Sequence, residues 1–190
     1  MEPVSLTLAS VGALALTEGV KFVYTEASDL IKHWLDSKKA GADPAPVPIE
    51  VTLPAAFGGQ LQDPKANLAV IAANEDRFES LTGMLALYAS GTKPINPADE
   101  RLLQNLDALR GLLEATLGQR LTLQGEPRPA TGTSVVLGTV DIAGSMKSGA
   151  AAGVKIDTLA ANTEGHAKLG GDLEGGTIFG VWVDTKGKNE

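Results

Sequence analysis

The chain of 190 residues carries a formal net charge of −7, is 43% apolar and 21% charged, and contains no cysteine. This is a globular composition, and the missing cysteines remove disulfides, thiolate zinc sites and thiol nucleophiles at once, which fits a cytoplasmic protein. An acidic balance with no basic stripe excludes a phosphate-reading surface, because such surfaces gain affinity from clustered Lys and Arg; no nucleic-acid partner is expected.

Many of the 22 glycines fall after residue 125, so the two ends of the chain differ in composition. In chain order, residues 3–17, PVSLTLASVGALALT, come first and carry no charge. The run is too short to span a bilayer unaided. Its flanking charges, Glu2 and Glu18, are acidic, whereas a signal peptide begins with basic residues, so the chain is expected to be retained in the cell. One long helix is predicted over residues 4–39. Leu6, Leu8, Val11, Leu14, Val20, Val23, Ala27, Leu30, Ile31 and Trp34 recur at three-four spacing, and Lys38 and Lys39 suit a carboxyl-terminal helix dipole. Gly12 and Gly19 are its points of kinking or close packing. The first half, with Val4, Leu6, Leu8, Val11, Leu14 and Leu16, is apolar nearly all round. Two readings stay open for it: a core helix of a bundle, or a segment that enters a membrane once released.

Residues 40–48, AGADPAPVP, read as a linker, and residues 49–53, IEVTL, alternate like a short strand. A partner for that strand is residues 121–124, LTLQ, which would close a small antiparallel patch. Between them two amphipathic helices are expected. The first starts at Asp63 as N-cap with Pro64 following and runs to about residue 89, with Leu68, Ala72, Phe78, Leu81, Leu85 and Tyr88 on one face. The second starts at Asn96 as N-cap, carries Leu102, Leu103, Leu106, Leu109, Leu113 and Leu117 as its stripe, and stops at Gly118. Amphipathic helices need one another to bury their stripes. Residues 1–124 are therefore read as a three- to four-helix bundle with a small β patch, and residues 125–132, GEPRPATG, as a linker.

Residues 133–190 form a Gly-rich region in which one stretch is written twice. VDIAGSMKSGAAAGVKIDT, residues 140–158, returns as AKLGGDLEGGTIFGVWVDT, residues 167–185, at a constant offset of 27. Identical pairs are Gly144/Gly171, Gly149/Gly176, Gly153/Gly180, Val154/Val181, Asp157/Asp184 and Thr158/Thr185; Ile156/Val183 and four further pairs keep apolar character. Charges invert instead of repeating: Asp141 matches Lys168, and Lys147 matches Glu174. Were equivalent positions stacked at the spacing of neighbouring strands, about 4.8 Å, inverted signs would attract where repeated signs repel. Two stacked β-arcs are thus favoured over a plainly duplicated hairpin, which stays open as the alternative. Whether such a stack is an intramolecular solenoid or part of a fibre stays open as well.

No reaction chemistry emerges. His33 lies among Asp29 and Asp36 on a helix surface, and His166 falls between the repeats; neither has a partner that would make it a base. GSMKSG, residues 144–149, lacks the spacing of a phosphate loop, and DTLAANTEG has too few acids for a calcium loop. Asp99, Glu100, Asp107 and Glu114 look like a solvated helix face. No catalytic residue, cofactor or metal is expected.

The opening MEPVSLTLASVGALALTEG resembles the start of the fungal HeLo and HELL cell-death domains and their bacterial Bell counterparts. The paired repeats are similar in plan to the two-repeat amyloid motif of the fungal HET-s type, with Gly144/Gly171, Gly149/Gly176, Asp141/Lys168 and Lys147/Glu174 at matching positions and GVWVD at its end. The resemblance covers about the first 19 and the last 50 residues and leaves the middle helices unmatched. It implies a non-enzymatic, membrane-acting effector of regulated cell death or anti-phage defence. Self-assembly would run through Asp141, Gly144, Lys147, Gly149, Gly153, Val154 and Ile156 on Lys168, Gly171, Glu174, Gly176, Gly180, Val181 and Val183. A homo-oligomer or fibre, a receptor ATPase with similar repeats and membrane lipid are the implied partners. The released helix would act at the inner face of the membrane. The competing expectation is an adaptor whose repeats assemble without membrane activity.

Overall fold

A computed structural model describes residues 8, 10–42, 45–142, 149–156, 163–169, 171, 172, 174 and 176–183. It divides into two compact units, Met1–Thr133 and Ser134–Glu190.

The first unit is mainly helical with a small two-stranded sheet. Helix α1, Ala13–Lys39, buries Leu16, Gly19, Val20, Phe22, Val23, Ala27, Leu30 and Trp34, and Lys38 and Lys39 occupy its last turn. The helix expected over 4–39 is interrupted, because Gly12 takes an extended conformation as N-cap (φ −63°, ψ 149°) and Ser10 lies in a turn. Glycine is a poor helix former, so little opposes the break. Leu8, Val11 and Leu16 are buried, whereas Leu14, expected in the stripe, lies two residues from Leu16 on the opposite side of α1 and is 75% exposed. Val4 and Leu6 lie outside the described residues.

Strand β1, Pro46–Pro48, falls inside the segment expected to be a linker and pairs antiparallel with β2, Lys65–Asn67. Residues 49–53 are not a strand. The segment 121–124 pairs instead around Phe57, through an antiparallel bridge between Phe57 and Leu123 and the bonds Gly58 N–H to Thr122 O and Gln124 N–H to Ala56 O. The short helix α2, Leu68–Ala73, is capped by Asn67, whose Oδ1 accepts from the Ala69 amide. Asp63 is no cap: it sits at φ 39°, and strand β2 follows it before the helix begins. A break at Asn74 separates α2 from α3, Glu75–Ala89, which buries Phe78, Leu81, Leu85 and Tyr88. Helix α4, Glu100–Leu117, is capped by Asp99, one turn inside the expected Asn96, and ends on Gly118 in the left-handed region (φ 63°). Asn96 makes a local turn, accepting from the Ala98 amide.

Helix α4 is the spine of the core. Leu102, Leu106, Leu109 and Leu113 are wholly out of water, each contributing roughly 2 kcal/mol by burial alone. Helix α1 packs against both α3 and α4.

Among its described residues the second unit holds four strands, β3 Val136–Ile142, β4 Gly149–Ile156, β5 Thr163–Leu169 and β6 Gly176–Val183. Their partners are not their chain neighbours. Strand β3 pairs with β5 and β4 with β6, both in parallel. Parallel pairing demands a crossover of a dozen or more residues; between β3 and β5 that crossover contains β4, which is itself paired elsewhere.

Candidate functional site

Two features stand out: the register of the repeats, and a polar strap buried in the helical unit.

Every pairing between β3 and β5 joins residues 27 apart, from Val136 with Thr163 to Ile142 with Leu169, and the same offset holds from Gly149 with Gly176 to Ile156 with Val183. Asp141 is opposite Lys168, so the one charged pair among these register partners has opposite signs. Val154 faces Val181, while Gly153 and Gly180 lie in the same strands between pairs of that register. Gly144, Lys147, Asp157, Thr158, Asp184 and Thr185 lie outside the described residues; Gly171 and Glu174 are described and exposed. Pairing also reaches four residues upstream of the duplicated stretch, through Val136, Leu137, Gly138 and Thr139 on Thr163, Glu164, Gly165 and His166. His166, expected between the repeats, is thus within β5. The identity of Gly138 with Gly165 at offset 27 is the signal that would have extended the repeat, but the neighbouring pairs share no residue type and hide it.

The strap is residues 119–133. Residues 125–132, expected to be a linker, are instead bonded into the helical unit. The Thr131 hydroxyl receives the Thr122 amide at 2.9 Å, the Thr131 amide donates to Gly58 O, and the Gly132 amide donates to Arg120 O. Gly132 has φ 86° and lies so close to the Gln60 carbonyl that no Cβ would fit. Only glycine satisfies both conditions.

Beneath the strap lies an ion network. Arg110 (1% exposed) donates from Nη1 to Glu126 Oε2 at 2.6 Å, where the Glu126 side chain is 0% exposed, and from Nη2 to Asp107. Glu114 (1% exposed) accepts from Arg120 and from Arg128, each at 2.9 Å, and from the Leu121 amide. Glu126 Oε2 also accepts the Leu123 amide at 2.8 Å. Burial would lower the Arg110 guanidinium, but Asp107 and Glu126 outweigh it and hold it above its ordinary value. Burial holds the Asp107 carboxyl above its usual range although Arg110 pulls the other way. Asp107 and Glu114 are therefore not the solvated face expected of them, and Asp99 is the helix cap. The missed signal is the width of the leucine stripe: with Leu102, Leu103, Leu106, Leu109, Leu112, Leu113 and Leu117 all buried, little of the circumference is left for water.

The charged groups of the network pair with one another: Arg110 with Glu126 and Asp107, and Glu114 with Arg120 and Arg128. Among the described residues no group of acidic or histidine side chains is arranged to hold a metal ion, and no helix is long and apolar enough to cross a membrane. His33 is exposed on α1. No family model, curated protein or solved structure matches the chain.

Proposed function

We propose that the protein is a non-enzymatic effector of regulated cell death or anti-phage defence, whose carboxyl-terminal repeats self-assemble as stacked β-arcs and whose amino-terminal apolar segment then permeabilises a membrane. The observation that carries this reading is the parallel, like-on-like register of β3 on β5 and β4 on β6 at the repeat offset. A duplicated hairpin would pair β3 with β4 antiparallel. Like-on-like pairing has a consequence that hairpins lack: the outer edges of a two-rung solenoid present to a second copy the same pattern that its rungs present to each other. Asp141 opposite Lys168 favours the register, and would favour it again between copies. The trigger fitting such an edge is a receptor, of ATPase type, that carries a similar repeat. Activation would move the protein from the cytoplasm to the inner face of the membrane.

The reading predicts that the full-length chain forms fibres with a meridional spacing of about 4.8 Å, seeded by their own fragments. It also predicts that assembly in the presence of anionic liposomes releases an entrapped dye. A chain that stays monomeric and never seeds would overturn it. The second reading, an adaptor whose repeats assemble without membrane activity, is favoured by one observation: Leu8, Val11 and Leu16 are already buried in the core. Fibres without dye release would select it.

A further inference from the structure

The strap that the ion network holds on one side touches the amino-terminal segment on the other. Leu123 is buried against Gly19, so closely that a Cβ added to Gly19 would come to 2.8 and 2.9 Å from its two methyl carbons. Two residues on, the carbonyl of Gly125 accepts the Ser10 hydroxyl at 2.8 Å. The next residue is Glu126, the buried partner of Arg110. Within four residues, then, the strap reaches both the apolar segment and helix α4. A few residues beyond it, at Val136, the repeat strands begin.

We propose that residues 119–133 are an autoinhibitory clasp: anchored to α4 by Glu126–Arg110 and Arg128–Glu114, they hold Leu8 and residues 10–19 against the core, and refolding or load transmitted from the repeats at Val136 frees clasp and segment together. This rests on the reading above for what release accomplishes, but the clasp itself is a property of the helical unit. The type of anchorage fits a joint that opens. A buried ion pair repays its desolvation only while every partner is in place, and the loss of one leaves an unpaired charge that drives out the rest. Among the described residues Glu126 Oε1 and Arg110 Nε meet no hydrogen-bond partner. An apolar anchor of equal volume would hold the strap more tightly and release it less abruptly.

Hydrogen exchange on the full-length chain tests the clasp. In Glu126→Gln, amides of residues 8–19 should exchange about tenfold faster, or more, while those of α4 keep their wild-type rates. Arg128→Gln, at a side chain 16% exposed, should shift the same amides in the same direction by a smaller factor. Unchanged exchange in residues 8–19 would overturn the proposal, as would equal acceleration of residues 8–19 and α4 in both variants, since the strap would then have no opening of its own. A second arm uses the absence of native cysteine: Gly19→Cys with Leu123→Cys, oxidised, locks strap to segment. The oxidised protein should assemble without dye release and the reduced one should release dye; equal release from both would also overturn the clasp. If neither form releases dye although both assemble, the membrane reading fails, and the exchange measurement still decides the clasp.

Discussion

The two units are held together in opposite ways. In the helical unit each contact is particular to its own pair of residues: Leu123 on Gly19, Glu126 on Arg110, Asp99 on the Leu102 amide. In the repeat unit one relation is made many times, residue n on residue n + 27. Contacts of the first kind close on themselves and define a unit of fixed extent. Contacts of the second kind carry no rule for stopping, which is why solenoids need capping units and why uncapped ones assemble. On the proposed reading the chain joins a part that limits its own extent to one that does not.

Mutations can break this contrast from either side. The largest effect is expected at Glu114→Ala, which takes one carboxylate away from Arg120, Arg128 and the Leu121 amide together. Loss of one partner of a buried ion pair costs about 3–5 kcal/mol, so the urea midpoint of the helical unit should fall steeply while fibre formation is retained. In the repeat unit a single reversal should matter less. Asp141→Lys places like charges opposite each other at Lys168, costs up to about 1 kcal/mol per rung, and should lengthen the lag before fibres appear; Lys168→Asp in the same chain should restore it. Failure of that rescue would show that the sequence register is not the register of assembly.

A smaller effect, confined to the helical unit, is expected from Asp99. The Leu102 amide and then the Tyr88 hydroxyl hold its carboxyl below the ordinary range. A carboxylate whose folded pKa lies below its unfolded one stabilises the fold above the unfolded value and loses that contribution as pH falls through the folded one. Asp99→Ala should therefore lower Tm at neutral pH and shrink the difference from wild type in acid. Asp107 works against this trend: burial raises its pKa, so its ionisation opposes folding as pH rises through the raised value. The smallest stability change is expected at Leu14→Glu. At 75% exposure the side chain packs on little, so stability should change by less than about 0.5 kcal/mol. That makes it a clean probe of membrane action: dye release should fall severalfold if the amino-terminal segment enters lipid, with no unfolding to confuse the result.

Much of this architecture is legible in the residues. Helix α4 is, because its leucines recur at 3.6-residue spacing and Gly118 follows at a position requiring positive φ. The terminal apolar face is less so: Leu14 and Leu16 look alike in a run with hardly a polar residue, and only packing against the core decides that the side of α1 bearing Leu16 turns inward and the side bearing Leu14 outward. Start signals were misread in the same manner. Asp63-Pro64 and Asn96-Pro97 each have the composition of a cap, but the true caps, Asn67 and Asp99, lie three or four residues on, where the helix axis is set by packing.

What the sequence determined by itself is whatever depends on a period: the helical stripes, and the spacing of 27 that relates the duplicated stretch and is also the spacing of the strand pairs. A period is written into the chain many times over, so single substitutions do not erase it. What only the tertiary structure decided is the meaning of isolated charges and prolines. Glu114 reads as solvated helix and Glu126 and Arg128 as linker, because their partners lie beyond a helical neighbour's reach in sequence; Arg110 and Glu126 are sixteen residues apart and meet where Gly125 and Gly132, both at positive φ, turn the strap back over the core. An ion pair depends on distance in space, and that distance is fixed by the fold as a whole.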